Sequence, residues 1–485
     1  MQRDGFSVGG KRWAVIFLIA FLGTASIMIL CREVFIPMIA PEVSHGLAGH
    51  DPMYYHSLAV ALAQEIKDKG WAAWTLRPEG QAPAGILGAL YVFAGTDSRV
   101  VIILNALLHV TGTMALCGII TRFVSWKLAV LICVPYWLSP YQMMMLYSQP
   151  NKDSFVWAGG MVLAYGWMEL VRLFQSATPS TSKIWFRALL LVYAGAGLMA
   201  LVRPYLATIV VLHGAGVLCW LLIRFVRACS VDGAARSRDQ AVKLVTLVLL
   251  LGAIMPISRS DFQGEAGARR LAYVESLPKT LSWNRTEWIT ESIDNKIAAI
   301  MIAHRGSFRD FLNDRLQDGE AVSENAREAL IDLDHRFEDI TDVVVYLPRA
   351  IQIGLFVPFP EQWALFELPS GSAFWSVSTW YPRPPVRGLR MFVAYVAYGF
   401  LLWGVMHFRD RQDLAFAIGF SLTFILFYGL AVPHVGALDR YRAPFFSLLV
   451  TMGLACAARC WAERNVRVFH RAHASPDISG SVSAE

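Results

Sequence analysis

Charged residues are scarce in this chain, at 16% of its 485 residues, where soluble proteins carry about 25%. Hydrophobic residues make up 55%, and the mean hydropathy is +0.45. They are grouped in blocks of about 20 residues, the length that crosses a bilayer as a helix. These totals exclude an ordinary soluble protein and predict an all-α polytopic membrane protein. The net charge of +6 then mainly reports loop charge, and we expect no nucleic-acid partner.

Several motifs that mark other classes of protein are absent as well. The chain contains no P-loop, no GxSxG and no HExxH sequence. Its seven cysteines lie in or beside apolar runs, and none lies in the long polar segment from residue 258 to residue 385. That segment therefore has no disulfide framework and no CxxC metal pattern. Nothing in the sequence indicates ATP-driven transport.

The apolar blocks predict about ten transmembrane helices. The candidate spans are 13–31, 100–121, 128–146, 155–171, 188–202, 206–223, 244–257, 388–406, 414–432 and 444–461. The first is too long for a signal peptide, so we expect it to be retained. The apolar patch from Ala82 to Gly95 is too short to span and predicts an interfacial or re-entrant helix.

Loop charge predicts the orientation of these spans. With the N-terminus inside, the inner loops carry roughly twice as many Lys and Arg residues as the short outer loops. Both termini are then cytoplasmic. Leu58, Leu62 and Ile66 stand at helical spacing in the first outer loop and predict an amphipathic helix there. The predicted domains are an N-terminal transmembrane module at 1–257 with its first outer loop at 32–99, a largely helical outer-side domain at 258–385, C-terminal transmembrane helices at 386–463 and a tail at 464–485.

The second half of the outer-side domain is apolar and interrupted by proline, as in VVVYLPRAIQIGLFVPF. Such a composition favours a surface that is pressed against the bilayer or folded over a site.

Two aspartates fall on the predicted outer side, each at the head of a helical pattern. Asp51 stands in GHDPMYYHSL and Asp153 in YSQPNKDSF. A carboxylate near a low-dielectric boundary can have its pKa tuned for base chemistry, so both are candidate catalytic residues. The alternative is that each is a helix N-cap, or in the case of Asp51 a turn residue. The residue pattern leaves both interpretations open.

Basic residues are concentrated in the shortest predicted outer turns. Arg203 stands in LVRPYLA, Arg440 and Arg442 stand in GALDRYRAPF, and Lys152 precedes Asp153. Cations are disfavoured on the outer side, and an arginine so placed is costly unless it meets an anion. Phosphate is the natural candidate because guanidinium binds it through paired hydrogen bonds. The alternatives are snorkelling to the interface for the arginines and pairing with the neighbouring aspartate for the lysine.

The residues around Asp51 are candidate substrate contacts, namely His50, Tyr54, Tyr55 and His56. Two of these histidines could bind a metal with His45 and Asp51. Their spacing matches no strong metal motif, however, so we expect no metal and no other cofactor.

Tryptophans of the outer segment could stack on sugar rings or form an interfacial belt. These are Trp283, Trp288, Trp363, Trp375 and Trp380. The stretch from Asn284 to Thr286 matches a glycosylation sequon, which is a weak signal alone.

Four stretches of the sequence resemble the GT-C type of membrane glycosyltransferase. The resemblance lies in their order along the chain and in their shared location on the predicted outer side. This group uses lipid-phosphate sugars and includes protein mannosyltransferases and aminoarabinose transferases. The stretches are GHDPMYYHSLAVAL, QAPAGILGALYVFAG with TDSRVVIILNALL, LSPYQMMMLYSQPNKDSF and HVGALDRYRAPFFSLL. They cover the N-terminal third and the last spans. Many members carry two adjacent acidic residues in the first loop, whereas here His50 and Pro52 flank Asp51.

The resemblance implies a GT-C-like fold and an inverting glycosyltransferase. The donor would be a polyprenyl-phosphate-linked sugar, and the acceptor an envelope glycan, lipid or protein at the periplasmic face of a bacterial cytoplasmic membrane. Asp51 matches the family's candidate base and Asp153 its second acidic residue. In the family, basic residues on the outer side bind the lipid-linked phosphate. The match to these residues is by position only, and it involves Arg203, Arg440 and Arg442.

Two other functions remain as alternatives. One is an O-antigen polymerase or ligase that moves a whole glycan from polyprenyl diphosphate. The other is a non-enzymatic flippase or transporter. A transporter favours inverted repeats and polar residues deep in its spans, whereas this chain shows no repeat and gathers its polar residues at the outer ends of the spans.

Overall fold

In the computed structural model of the protein, the described residues are almost entirely helical. They are residues 10–39, 47, 50–139, 142–175, 182–229, 245, 248, 252, 254, 331–332, 335, 337, 340–360, 375–376, 381–382, 384–407, 412–433 and 435–473. The predicted span 244–257 and the segment 258–385 lie mostly outside the described residues. So do His45, Trp283, the sequon at Asn284, Trp288, Trp363 and Trp380. The tail is described only as far as His473.

The N-terminal part of the chain forms nine helices within the described residues. They are α1 (Gly10–Leu30), α2 (Ile36–Ile39), α3 (His50–Lys69), α4 (Ala82–Ala94), α5 (Val100–Ile120), α6 (Trp126–Trp137), α7 (Asp153–Gln175), α8 (Ser182–Val202) and α9 (Tyr205–Cys229). A π-helical turn, Cys31–Phe35, joins α1 to α2, and a second, Met143–Tyr147, precedes α7. Two 3₁₀ turns, Trp71–Ala73 and Pro78–Gly80, connect α3 to α4.

The C-terminal part contributes four more described helices and one small strand pair. The helices are α10 (Ile340–Phe356), α11 (Pro384–His407), α12 (Gln412–Ala431) and α13 (Val435–His473). The strands β1 (Trp375–Ser376) and β2 (Tyr381–Pro382) pair antiparallel and lie between α10 and α11 in the chain. Trp375, one of the five tryptophans of the outer segment, therefore lies in a strand.

Eight helical segments of the described chain are long and apolar enough to cross a membrane, which confirms a multi-pass protein. They are Trp13–Met38, Val100–Ile120, Asp153–Phe174, Lys183–Val202, Tyr205–Ile223, Gly388–His407, Gln412–Ala431 and Val435–Arg464. The predicted span 128–146 differs, because its helix α6 has only 12 residues. Pro135 lies in the last turn of α6, where it cannot donate a backbone hydrogen bond, and the helix ends at Trp137. The apolar patch after residue 81 is the 13-residue helix α4, too short to span as predicted, and its interfacial or re-entrant placement stays a prediction.

Ion pairs define the two ends of the helical bundle. At one end, Arg122 follows α5 and pairs with Glu169 near the end of α7, with Asp413 of the first turn of α12 close by. At the other end, Asp153 begins α7 and Arg440 lies in the first two turns of α13. We call this second end the aspartate end. Because each contact joins helix termini distant in sequence, these pairs fix which termini lie together.

Helix α10 packs closely against α12 at the aspartate end. A Cβ atom on Gly429 would collide with the carbonyl oxygen of Ala350, and one on Gly354 would lie 2.7 Å from Ile425. Both positions therefore need glycine for the two helices to approach. This helix carries the apolar, proline-containing sequence of the outer-side domain, and the structure places it directly against the bundle.

Candidate active site

Arg440 is the centre of a polar cluster at the aspartate end. Its Nη1 lies 3.0 Å from Oδ2 of Asp51, and its Nε lies 2.6 Å from Oδ2 of Asp153. Its Nη2 donates to Oδ1 of Asn151 at 3.1 Å. All three nitrogens of the guanidinium are thereby used, each with a different side chain, and the bonds to the two carboxylates are charge-assisted. Residues separated by 389 positions in the chain are brought into direct contact.

The second carboxylate of the cluster is buried between two guanidinium groups. Oδ1 of Asp153 accepts a hydrogen bond from Nη2 of Arg203 at 3.2 Å, while Oδ2 faces Arg440. Asp153 is 4% exposed and Arg203 is 5% exposed. The Arg203 guanidinium also stacks on the ring of Tyr441, with its central carbon 3.9 Å from the ring centroid. Buried ions need such partners, and removing one partner of a buried pair commonly costs about 3–5 kcal/mol.

Asp51 occupies a different environment from Asp153. Its side chain is 46% exposed, and Arg440 holds it through Oδ2. It lies in the first turn of α3, just as Asp153 begins α7. The positive end of each helix dipole stabilises a carboxylate at such a position. Both aspartates therefore lie in the first turn of a helix and also contact Arg440, and the N-cap interpretation of each stays a prediction.

Lys152 adds a third cation to the cluster and lies on the ring of Tyr55. The Lys152 ammonium is 5.5 Å from the centroid of that buried ring. Burial, followed by the positive charge of Arg203, lowers the pKa of Lys152 to about 8. Burial, followed by the charge of Asp51, raises the pKa of Tyr55 above its usual value. The lysine and the two arginines face two carboxylates, so the cluster carries one excess positive charge when the lysine is protonated.

Local structure explains how each of these residues reaches the cluster. The predicted tight turn at Arg203 is present, since α8 ends at Val202 and α9 begins at Tyr205. The sequence predicts Arg440 in a turn before a span that begins at residue 444, but α13 begins at Val435 and includes it. Charged residues can occupy these first helical turns because each meets an opposite charge. Arg440 meets the two aspartates, and Asp439 meets Arg390.

Arg442 lies outside the cluster, although it stands only two positions from Arg440. It is fully buried, and its guanidinium donates to the carbonyl oxygens of Gly354 and Val357 and to Asp439. Snorkelling to the interface does not describe such a side chain. Positions two apart on a helix point to different faces, so α13 directs Arg440 to the aspartates and Arg442 to the end of α10.

The end of α10 is partly buried, and side chains bind its last carbonyl groups. Tyr398 donates to the carbonyl oxygen of Leu355 and Tyr395 to that of Phe356, while Arg442 binds the carbonyls on either side of them. The last carbonyls of a helix have no partner within the helix, and leaving them unsatisfied away from water is costly. Arg442 therefore acts as a cap for α10.

We expect Arg442→Met to destabilise the protein by about 3–5 kcal/mol, because it leaves Asp439 and several carbonyls without this donor. The measurement is thermal unfolding of the purified protein in detergent. Arg459→Met is the matched control, since Arg459 lies on the same helix and pairs with Glu463 in a partly exposed setting. We expect that control to change stability by less than about 1 kcal/mol. Unchanged stability in the Arg442 variant would contradict the capping role.

Two of the four predicted substrate contacts near Asp51 point to other partners. Tyr54 donates to Glu79 at 2.5 Å, and Nδ1 of His56 lies 2.7 Å from the hydroxyl of Tyr91. These contacts join α3 to the connection after it and to α4. Tyr55 lies beside Lys152 at the cluster, and the side chain of His50 is not among those described. Whether any of the four contacts a substrate stays a prediction.

The structure adds two residues that the sequence analysis does not single out. Asn151 is 3% exposed, and its side-chain oxygen accepts a hydrogen bond from Arg440. Tyr441 lies under the guanidinium of Arg203. Both stand directly beside residues that the sequence marks as candidates, Lys152 and Arg440, and this proximity is the signal that points to them.

Within the described part of the chain, no group of three or more His, Cys, Asp or Glu side chains is placed to hold a metal ion. Comparison of the sequence with known protein families and with curated proteins finds no match. A function for the cluster is therefore inferred from its geometry and its chemistry.

Proposed function

We propose that the protein is an integral membrane glycosyltransferase that transfers a sugar from a polyprenyl-phosphate donor to an envelope glycan, lipid or protein acceptor. The observation that carries this proposal is the cluster in which Arg440 joins the half-exposed Asp51 to the buried Asp153. It combines a carboxylate open to an incoming acceptor with cations for a leaving phosphate. The resemblance to GT-C enzymes supports the same function, and it implies the outer face of the cytoplasmic membrane as the site of transfer.

In the proposed reaction, an acceptor hydroxyl attacks the anomeric carbon of the donor sugar. The new bond joins the acceptor oxygen to that carbon, and the bond from the carbon to the phosphate oxygen breaks. Asp51 takes the proton of the hydroxyl, and the phosphate leaves with the bonding electrons. Attack opposite the leaving group inverts the anomeric configuration. General-base assistance of this kind contributes about 10²–10⁴-fold to a rate.

The cations would hold the phosphate and stabilise its developing charge. Arg203 is buried against Asp153 and Tyr441 and supplies one of the three positive charges of the cluster. Lys152 supplies the excess positive charge of the cluster. Asp153 contacts an arginine through each oxygen, so we assign it the role of a positioning residue that fixes Arg203 and Arg440.

The charge of the cluster also bears on the second candidate, a polymerase or ligase that uses polyprenyl diphosphate. An arginine-centred site favours anion binding and is compatible with either donor. A sugar phosphodiester carries one negative charge, however, whereas a diphosphate diester carries two. The single excess positive charge of the cluster matches the phosphodiester better, so the monophosphate donor remains the preferred proposal.

A comparison of envelope glycans from cells with and without the protein tests this function. We expect mass spectrometry to show the loss of one sugar from an envelope glycan, lipid or protein, restored by the wild-type gene. Loss of whole repeat units, with accumulation of diphosphate-linked glycan, would support the polymerase or ligase instead. Identical glycans in both cells would contradict both candidates.

The lowered pKa of Lys152 predicts a pH dependence of donor use. Lys152 is protonated below about pH 8 and neutral above it, so phosphate binding should weaken as the pH rises through that value. The charged groups facing it are Asp51, Asp153, Arg203 and Arg440. The measurement is kcat/KM for the donor, which reports the free enzyme. Lys152→Arg should remove the decline near pH 8, because arginine stays protonated. A decline that persists in this variant would assign the titration to another group.

A further inference from the structure

One face of the spanning helix α5 carries three buried polar side chains at intervals of four residues. Asn105 and His109 are fully buried, and Thr113 is 7% exposed. The hydroxyl of Thr113 donates to the carbonyl oxygen of His109 within the same helix. Polar groups in the interior of a spanning helix are costly and are retained where they have partners. Asn105 makes its hydrogen bonds to the segment that leads to the cluster, and the ring of His109 lies against Tyr147 at the start of that segment.

Asn105 uses its amide to bind the chain on both sides of residues 150–153. Its Nδ2 donates to the carbonyl oxygens of Tyr147 at 2.9 Å and Gln149 at 2.7 Å. Its Oδ1 accepts a hydrogen bond from Oγ of Ser154 at 2.7 Å. One side chain thereby fixes the end of the π turn and the first turn of α7.

The segment held in this way is short, irregular and buried. Ser148 and Gln149 are fully buried, and Asn151 is 3% exposed. Buried non-helical backbone is tolerated only where other protein groups satisfy its hydrogen bonds. The segment carries Asn151, which contacts Arg440, and Lys152, and it ends where Asp153 begins α7. Three members of the cluster therefore depend on its position.

His109 supports the same segment one helical turn farther along α5. Its ring lies 4.4 Å from the ring of Tyr147, and its Nε2 lies 3.0 Å from the carbonyl oxygen of Trp137. Trp157 of α7 donates to the backbone oxygen of His109 at 3.1 Å. The end of α6, the π turn and the start of α7 thus meet on one polar face of α5.

We infer that Asn105 is a positioning residue for the cluster, acting through the segment from Tyr147 to Ser154 that it holds. The inference rests on the proposed function, since it assigns Asn105 to the binding of the donor phosphate. The hydrogen bonds of Asn105 go to this segment and not to Arg440 or either aspartate. Its effect is to hold Asn151, Lys152 and Asp153 in the arrangement that the phosphate meets.

The test measures the affinity of the purified protein for a short-chain prenyl phosphate by titration in detergent. Asn105→Leu removes all three hydrogen bonds at nearly constant volume. We expect it to weaken binding at least tenfold, roughly the effect of losing one well-formed hydrogen bond. In a transfer assay, the same variant should raise KM for the donor more than it lowers kcat. Unfolded protein in equilibrium with the folded state raises the apparent dissociation constant, so each titration is run at a temperature where thermal unfolding shows the variant to be folded. Lost stability alone would then leave the midpoint unchanged.

Two further variants keep the test decisive. Asn105→Asp keeps the shape and the acceptor for Ser154 but loses both donors to the segment, and it should weaken binding even where the leucine variant fails to fold. Thr113→Val is the matched control on the same face of α5, and it should bind as wild type does. If the wild-type protein binds prenyl phosphate and the Asn105 variants bind it with the same affinity, the inference is overturned and the proposed function is not. A wild-type protein that binds no prenyl phosphate would overturn the proposed function and the inference with it.

Discussion

Asp51→Asn should reduce sugar transfer by about 10²–10⁴-fold, the usual contribution of a general base. Asparagine has nearly the same shape and can still accept a hydrogen bond from Arg440, but it cannot take a proton from the acceptor. The side chain is 46% exposed, so little stability should be lost. The measurement is the rate of transfer from a synthetic polyprenyl-phosphate sugar, with thermal unfolding and prenyl-phosphate affinity recorded on the same preparation.

Asp97→Asn provides the matched control for this experiment. Asp97 is an exposed carboxylate just before α5 and lies 3.8 Å from the guanidinium of Arg99. We expect its variant to transfer sugar at the wild-type rate, because its ion pair is separate from the cluster. Full activity of the Asp51 variant would reject the base and shift support to an arginine-dependent polymerase or ligase. Equal losses in both variants would indicate a general effect of surface charge.

The sequence predicts the helices of this protein correctly where the length of an apolar block alone determines the span. The blocks beginning near residues 100, 206, 388 and 414 are spans with nearly the predicted ends. The two main differences lie at α6 and α13. Pro135 lies in the last turn of α6, which ends after 12 residues, whereas Pro444 lies within α13 and does not mark its start. Paired charges allow α13 to begin at Val435, well before the position that hydropathy indicates.

The candidate site was predictable only in part. Local sequence identified Asp51, Asp153, Arg203 and Arg440 as unusual, because each is a charge beside an apolar run. It could not pair them, since the contact between Asp51 and Arg440 crosses 389 positions. The difference between Arg440 and Arg442 was hidden for another reason. In a turn both side chains can face one phosphate, whereas in a helix they point about 160° apart.

Arg440→Lys should weaken prenyl-phosphate binding by about 100-fold and reduce transfer at least as much. The substitution keeps the charge, but an ammonium group cannot reproduce the rigid fork that reaches Asp51, Asp153 and Asn151 together. Loss of one charge-assisted hydrogen bond costs about 1.5–3 kcal/mol, and a factor of 100 corresponds to about 2.8 kcal/mol. The measurement is the same titration used for the Asn105 variants.

A double-mutant cycle separates a loss of geometry from a loss of charge. Arg440→Met leaves the buried Asp153 with Arg203 alone and should cost about 3–5 kcal/mol of stability. Asp153→Asn in the same chain removes that unbalanced charge, so the double variant should be more stable than the sum of the single effects, by at least about 1 kcal/mol. Pairing Arg440→Met with Arg442→Met should give nearly additive losses, because their ion pairs go to different aspartates.

The comparison of these two arginines decides between two descriptions of the aspartate end. If both arginines bind the donor phosphate, as the sequence predicts, each substitution should weaken prenyl-phosphate affinity to a similar extent. If the helix divides their roles, Arg440→Lys should change affinity in a protein that still folds, and Arg442→Met should change stability while its folded fraction binds normally. Strong coupling between the two arginines in the cycle would refute this division. It would also return Arg442 to the phosphate site, despite its complete burial against α10.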